Sequence, residues 1–229
     1  MTYLSIAIVA ALVLVSVVVG RSLIGGGDAK PLVSFGFRQL PPPALSQFTL
    51  KDALQNRASN REFGIRPLDD QTLSNLLWAA DGVNRPGTGG RTAPSAYDWR
   101  YMDLYVADSH GIGRYDAKRH AIELLGTKDI RAFTGMQDFV KDAPLTIVLV
   151  SDEGKMDEKE SHGLRPVFSG VAAGAIAQNI YLYCASAGLN VVVRASIERE
   201  PLRKVLGLGP NQKIIVAQTI GFPPDSSAK

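Results

Sequence analysis

The sequence predicts an α+β domain, a central and mostly antiparallel sheet flanked by helices, preceded by an apolar N-terminal segment. Three observations carry that reading. Short runs at 101–107, 143–150, 190–193 and 213–220 have strand character, the second of them apolar and β-branched. The Gly111-Ile112-Gly113 turn sends the first of them back as a hairpin, which is an antiparallel signal. Two further stretches, 70–81 and 169–187, suit helices rather than strands by length and apolar spacing. At 229 residues, 45% hydrophobic and 21% charged, the chain is long enough to bury one substantial core.

From Leu4 to Gly20 every residue is apolar or small, about the length needed to span a bilayer, and the first charge is Arg21. Residues 1–24 therefore read as a transmembrane anchor or a signal segment. Only Met1, Thr2 and Tyr3 precede the run, which favours an uncleaved anchor over a cleaved signal. Arg21, Lys30 and Arg38 all follow it, and the positive-inside tendency would then leave the domain in the cytoplasm. Three charges leave the side of the membrane open, and cleavage would instead export the domain to the periplasm or extracellular space.

Residues 25–47 read as a linker, because Gly25 to Gly27 are flexible and Pro41, Pro42 and Pro43 favour an extended spacer. The folded domain, residues 48–229, is expected to start near Phe48. Asp69 and Asp70 cap a helix whose apolar positions Leu73, Leu76, Leu77 and Ala80 recur at three- and four-residue spacing up to Gly82. A Gly- and Pro-rich loop runs from Asn84 to Ser95. The strand from Tyr101 to Ala107 returns through Arg114 and Tyr115 towards His120 to Leu124. Ala143 to Val150 fits a buried strand, followed by a charged loop from Asp152 to Glu160. Ser169 to Ala187 is small or apolar around its whole circumference, so a central buried helix is expected there, with Gly188 at C′. Asn190 to Val193 and Lys213 to Ile220 are β-rich, and between them Glu200-Pro201 opens a short helix that Gly207 closes.

The formal charge of +3 is small and the basic residues are scattered, so nucleic acid is a poor candidate partner. The single cysteine, Cys184, offers neither a disulfide partner nor a metal cluster within the chain. The sequence carries no Walker lysine motif, no nucleophile elbow, no HExxH and no Gly-rich dinucleotide fingerprint. His110, His120 and His162 are isolated and read as ordinary surface histidines. The chemistry would have to come from a cofactor. One stretch suits such a group: Arg57, Ser59 and Arg61 alternate, so in an extended conformation two guanidiniums and a hydroxyl point one way, as a phosphate requires.

A set of segments in order resembles the nitroreductase superfamily, and within it the branch of SagB-type dehydrogenases. These are Leu40-Pro41-Pro42-Pro43, then Arg57 through Phe63 (RASNREF), Trp78 through Arg85 (WAADGVNR), and Arg91 through Ala96 (RTAPSA). They continue in Gly113-Arg114-Tyr115-Asp116, Gln178 through Leu182 (QNIYL), Gly188-Leu189-Asn190 and Gly221-Phe222-Pro223. The resemblance implies a nitroreductase-like fold that binds FMN at the interface of a homodimer. Arg57, Ser59 and Arg61 would hold the phosphate. Pro94, Ser95 and Ala96 would lie along the flavin ring, reaching it from the partner subunit. Arg91 would bring positive charge to the pyrimidine edge, and Gln137 matches a flavin-proximal glutamine. Val193, Arg194 and Ala195 match the loop whose backbone meets flavin N5 and O4, with Ala195 as the N5 donor.

The activity implied is FMN-dependent oxidoreduction: two-electron hydride transfer through N5 between a donor such as NAD(P)H and a small organic acceptor. No side-chain base is required, since orientation and flavin electronics supply most of the rate. An azoline-to-azole dehydrogenase acting on modified peptides is the alternative from the same branch, and a membrane-tethered flavin-binding module with little turnover is a third reading. Two departures favour the third. Lys229 is the one basic residue after Pro224, where family members often carry a basic pair, and Arg194 stands where small residues or proline are usual.

Overall fold

The computed structural model describes residues 30–225. The segment 1–24, expected to be an anchor or signal, lies outside the described residues, as does Lys229. In chain order the elements are β1 (Gly36–Gln39), α1 (Leu50–Asn56), α2 (Asp70–Asp81), β2 (Val83–Arg85), β3 (Gly90–Arg91), β4 (Met102–Asp108), β5 (Gly111–Asp116), β6 (Ala121–Gly126), β7 (Leu145–Asp152), α3 (Arg165–Ala187), β8 (Asn190–Arg194), α4 (Arg199–Val205) and β9 (Gln212–Gly221). Seven strands form one antiparallel sheet in the order β1-β6-β5-β4-β7-β9-β8, and β2 and β3 form a separate ribbon.

The central strands are apolar on both faces because both faces are covered. On β7, Leu145, Ile147 and Leu149 point into the larger core beneath α2 and α3, while Val148 and Val150 point into a second core with Leu202 of α4. This accounts for an unbroken apolar run where a half-exposed strand would alternate. α2 starts as the sequence predicts: the Thr72 N–H donates to the Asp69 side chain at 2.7 Å, and that capping bond helps hold the Asp69 carboxyl below its usual value. α3 ends at Gly188, whose φ of 66° is the left-handed conformation glycine reaches without strain.

Two expectations change. Residues 36–47, expected to be linker, are part of the fold: β1 pairs with β6 from Gly36↔Leu124 to Gln39↔Ala121, and Leu40 is buried. The backbone after it is tied to α2, with Ala44 N–H donating to Asn75 Oδ1, Asn75 Nδ2 donating to Ala44 O, and Gln71 Nε2 donating to Pro42 O. The prolines suit this segment because much of its hydrogen bonding runs through carbonyls that accept from side chains. α3, expected to be buried all round, buries one stripe, Ala172, Ala173, Ile176, Ala177, Ile180, Tyr181 and Cys184, and leaves Val167 and Val171 exposed. It is long and apolar enough to cross a membrane, yet half of its most apolar window is packed inside the domain.

Candidate active site

β8 is an edge strand, and the candidate site lies along the edge that does not pair with β9. In its pairing with β9, Val193 lies opposite Gln218 and Arg194 opposite Ala217. Alternate residues of an antiparallel edge strand aim their backbone groups away from the neighbour. Those groups are met by the 57–64 segment and by α3. Asn60 N–H donates to Val191 O at 3.0 Å, and Val193 N–H donates to the Tyr181 hydroxyl at 2.9 Å. Asn190 Nδ2 donates to Glu62 O and Asn60 Nδ2 to Asn190 Oδ1, while Gly64 N–H donates to Phe222 O.

Of the predicted phosphate residues, Ser59 Oγ lies 2.7 Å from the Tyr181 hydroxyl, and the Arg57 guanidinium sits over the Tyr181 ring, 5.4 Å from its centroid. Arg57 follows α1 as its C-cap, and Arg57, Ser59 and Arg61 are all exposed. Tyr181 thus joins the 57–61 segment to Val193, although reading the sequence assigned it no role. Its place in the Gln178–Leu182 segment was visible; its contacts, 122 residues from Ser59, were not.

Arg194 does not project beside Val193 towards the free edge. Its side chain turns to the opposite sheet face and is only 5% exposed. There Nε and Nη2 donate to Thr219 Oγ1 at 3.1 and 2.7 Å, and Nη1 donates to Thr134 O at 3.0 Å and reaches Gln137 Oε1 at 3.5 Å. Strand period explains the difference, since consecutive residues point to opposite faces and register chooses which. Burial lowers this guanidinium to about 10, so it stays charged at neutral pH, and no carboxylate pairs with it among the described residues. A Cβ on Gly135 would fall 1.7 Å from Arg194 Nη1, so the 134–137 loop closes directly on the charge. Gln137 and Arg194 are thereby brought together behind β8. Ala195 is exposed, and its carbonyl accepts from Arg199 Nη1.

Arg91, Pro94 and Ser95 form a separate cluster lining a cavity of about 10 Å³ with Asp81, Arg100, Met102 and Ile176. Arg91 Nη1 donates to Asp81 Oδ2 at 2.8 Å and to Asp81 O at 3.0 Å. Burial pushes the Asp81 carboxyl up to about 7, with Arg91 pulling it back down. Ser95 Oγ accepts from Arg100 N–H, and Ala96 opens a turn in which Tyr97, Asp98 and Arg100 all hold positive φ, between 50° and 55°. Three non-glycine residues in that region store backbone strain next to the cluster. Tyr97 stacks on Trp99 at 4.5 Å and is exposed.

Of the three histidines, His110 and His162 are exposed. His120, expected to be an ordinary surface residue, is half-buried between Ser74 Oγ (2.7 Å from Nε2) and the Tyr115 hydroxyl (2.8 Å from Nδ1), with Pro41 O within 3.1 Å of Nε2. The network fastens the proline segment to the hairpin and lies apart from the β8 edge.

The Nitroreductase family profile matches residues 54–222. A protein of Methanocaldococcus jannaschii named as a nitroreductase is 29% identical over 175 residues, covering 72% of this chain and 87% of that protein. A crystal structure from Ralstonia eutropha, also named as a nitroreductase, is 45% identical with a TM-score of 0.79, covering 88% of this chain and 97% of that one. A chain of the E. coli microcin synthetase McbBCD complex shares the fold at 18% identity and a TM-score of 0.64, over 81% of this chain and 78% of that one.

Proposed function

The chain belongs to the nitroreductase family of oxidoreductases, and from that premise we propose that it binds FMN along the free edge of β8. The observation that carries this reading is the convergence of Ser59, Arg57 and Val193 on Tyr181, which puts the phosphate donors beside the outer edge of β8. The donor set suits the cofactor. Two exposed guanidiniums and a hydroxyl match a phosphate monoester, and among the described residues Arg57 and Arg61 have no carboxylate partner to displace. Arg194, turned to the far face, does not cover Val193, whose side chain is exposed.

FMN bound there would supply two-electron hydride chemistry at N5, with NAD(P)H as a donor and a small organic acceptor. In this reading Arg57, Ser59 and Arg61 hold the phosphate, and the segment Val193 to Ala195 lies along the ring edge; the Val193 N–H is already given to Tyr181, so Ala195 is the residue that meets N5. Gln137, steadied by Arg194, stands behind that segment. Arg91 and the segment Pro94 to Ala96 serve the ring held by a second copy. Nitroreductase family proteins are commonly dimers, and the open side of α3, where Val167 and Val171 are exposed and a Cβ on Gly170 or Gly174 would meet nothing, suits a second copy of this chain. Placement in the SagB-type branch, with azoline oxidation as the corresponding activity, and membrane tethering by residues 4–20 are proposals resting on the sequence.

The test is the visible spectrum of the purified full chain, before and after anaerobic NADH or NADPH. Flavin bands that bleach support the reading, and bands that persist point to another donor. A colourless protein that fails to take up added FMN overturns it. The double variant Arg57→Ala/Arg61→Ala is expected to lose flavin while remaining folded.

A further inference from the structure

Tyr181 is 6% exposed and its hydroxyl has two partners, Val193 N at 2.9 Å and Ser59 Oγ at 2.7 Å. A backbone N–H can only donate, so the phenol oxygen accepts from Val193. That leaves the phenol's own proton, for which Ser59 Oγ is the acceptor at hydrogen-bond distance. The alternative, Ser59 donating to Tyr181, would strand a phenol proton inside the protein, and an unmet buried donor is the costlier arrangement. With its oxygen accepting from Tyr181, exposed Ser59 keeps its proton for a partner on the solvent side. The chain of donors therefore runs in one direction, from Val193 N–H through the Tyr181 hydroxyl to the Ser59 hydroxyl and out.

We propose that Tyr181 is a positioning residue that holds Ser59 as an outward-pointing donor for a phosphate monoester and locks that donor to the β8 edge. The proposal rests on the reading of 57–61 as a phosphate site. A phosphate oxygen only accepts, so a serine whose proton is spent on a neighbouring oxygen cannot serve it; the Tyr181 bond removes that orientation. The same ring lies under the Arg57 guanidinium, so one side chain steadies two of the three donors. Tyr181→Phe keeps the ring and its contact with Arg57 while deleting the relay.

The experiment measures dissociation constants of FMN and of riboflavin, which lacks the phosphate, for the full-length apoprotein by flavin fluorescence, with thermal melting as a check on folding. Tyr181→Phe is expected to weaken FMN about tenfold, the size of one charge-assisted hydrogen bond, and to leave riboflavin within about twofold. Ser59→Ala should do the same, and the double variant should lose no more than either single one, because both remove one donor chain. Equal weakening of both flavins would make Tyr181 a plain support of β8 and overturn the proposal, as would unchanged FMN binding or additive losses. If Arg57→Ala/Arg61→Ala also leaves FMN binding intact, the phosphate site itself fails; if that variant loses FMN while Tyr181→Phe does not, the relay alone fails. Should Tyr181→Phe not fold, unchanged FMN binding in Ser59→Ala, on the surface, still overturns the proposal.

Discussion

The Asp81 carboxylate meets the Arg91 guanidinium at 2.8 Å where α2 hands over to the β2–β3 ribbon, and Asp81 is only 8% exposed. Burial outweighs the attraction, so this carboxyl rises from 3.8 to about 7 although an arginine touches it.

A pH dependence follows for Asp81. Between about pH 4 and 7 the folded state binds a proton that the unfolded state has released, so this group's contribution is full at the acid end and is lost as pH rises through its folded value. The stability of the wild type relative to Asp81→Asn should fall as pH rises from 4 to 7 in urea unfolding. A difference that stays flat across that range contradicts the assignment.

His120 carries the opposite sign. Burial lowers it below its usual 6.5, so under mildly acid conditions the unfolded chain takes up a proton that the folded chain refuses. Stability relative to His120→Gln should be full above pH 6.5 and decline as pH drops below it. Ser74→Ala, which removes a partner of both His120 and Pro41 O, should cost about 1–3 kcal/mol at neutral pH. A loss of under a few tenths would mean that the network does not anchor the proline segment.

Gly135→Ala would place a methyl group 1.7 Å from Arg194 Nη1 and force the guanidinium off Thr134 O. Overpacking of this kind costs about 1–3 kcal/mol. In Arg194→Met the obstruction is gone, so the cost of Gly135→Ala should shrink in that background; a cost that is the same in both would show that the two positions are not coupled.

Cys184 is fully buried in the core face of α3, and burial pushes its thiol far up, so little reactive thiolate forms. A thiol reagent should leave the folded protein unmodified at pH 8 and label one group per chain after denaturation. Fast labelling of the folded form would show that α3 opens readily.

Hairpin return, apolar strands and the long helices were legible because each signal is local: a turn between two runs, or a period of two or 3.6. The family was legible from short segments in order, and the profile match over 54–222 agrees. β1 was hidden because its four residues, Gly-Phe-Arg-Gln, show no distinct strand pattern and pair with residues more than 80 positions away. The circumference of α3 looks uniformly apolar, so composition could not say which side would be left open.

Residue types alone determined that Arg57, Ser59 and Arg61 could serve an anion, that Gly188 would end a helix, and that Leu145 to Val150 would be buried on two faces. Only the tertiary structure decided that Arg194 turns away from Val193's face, that Arg91 is held by Asp81, and that Tyr181 joins two segments of the site. The physical reason is common to all three. Each depends on strand register or on a contact across the fold, and a one-residue slip in pairing exchanges the faces without altering any local pattern.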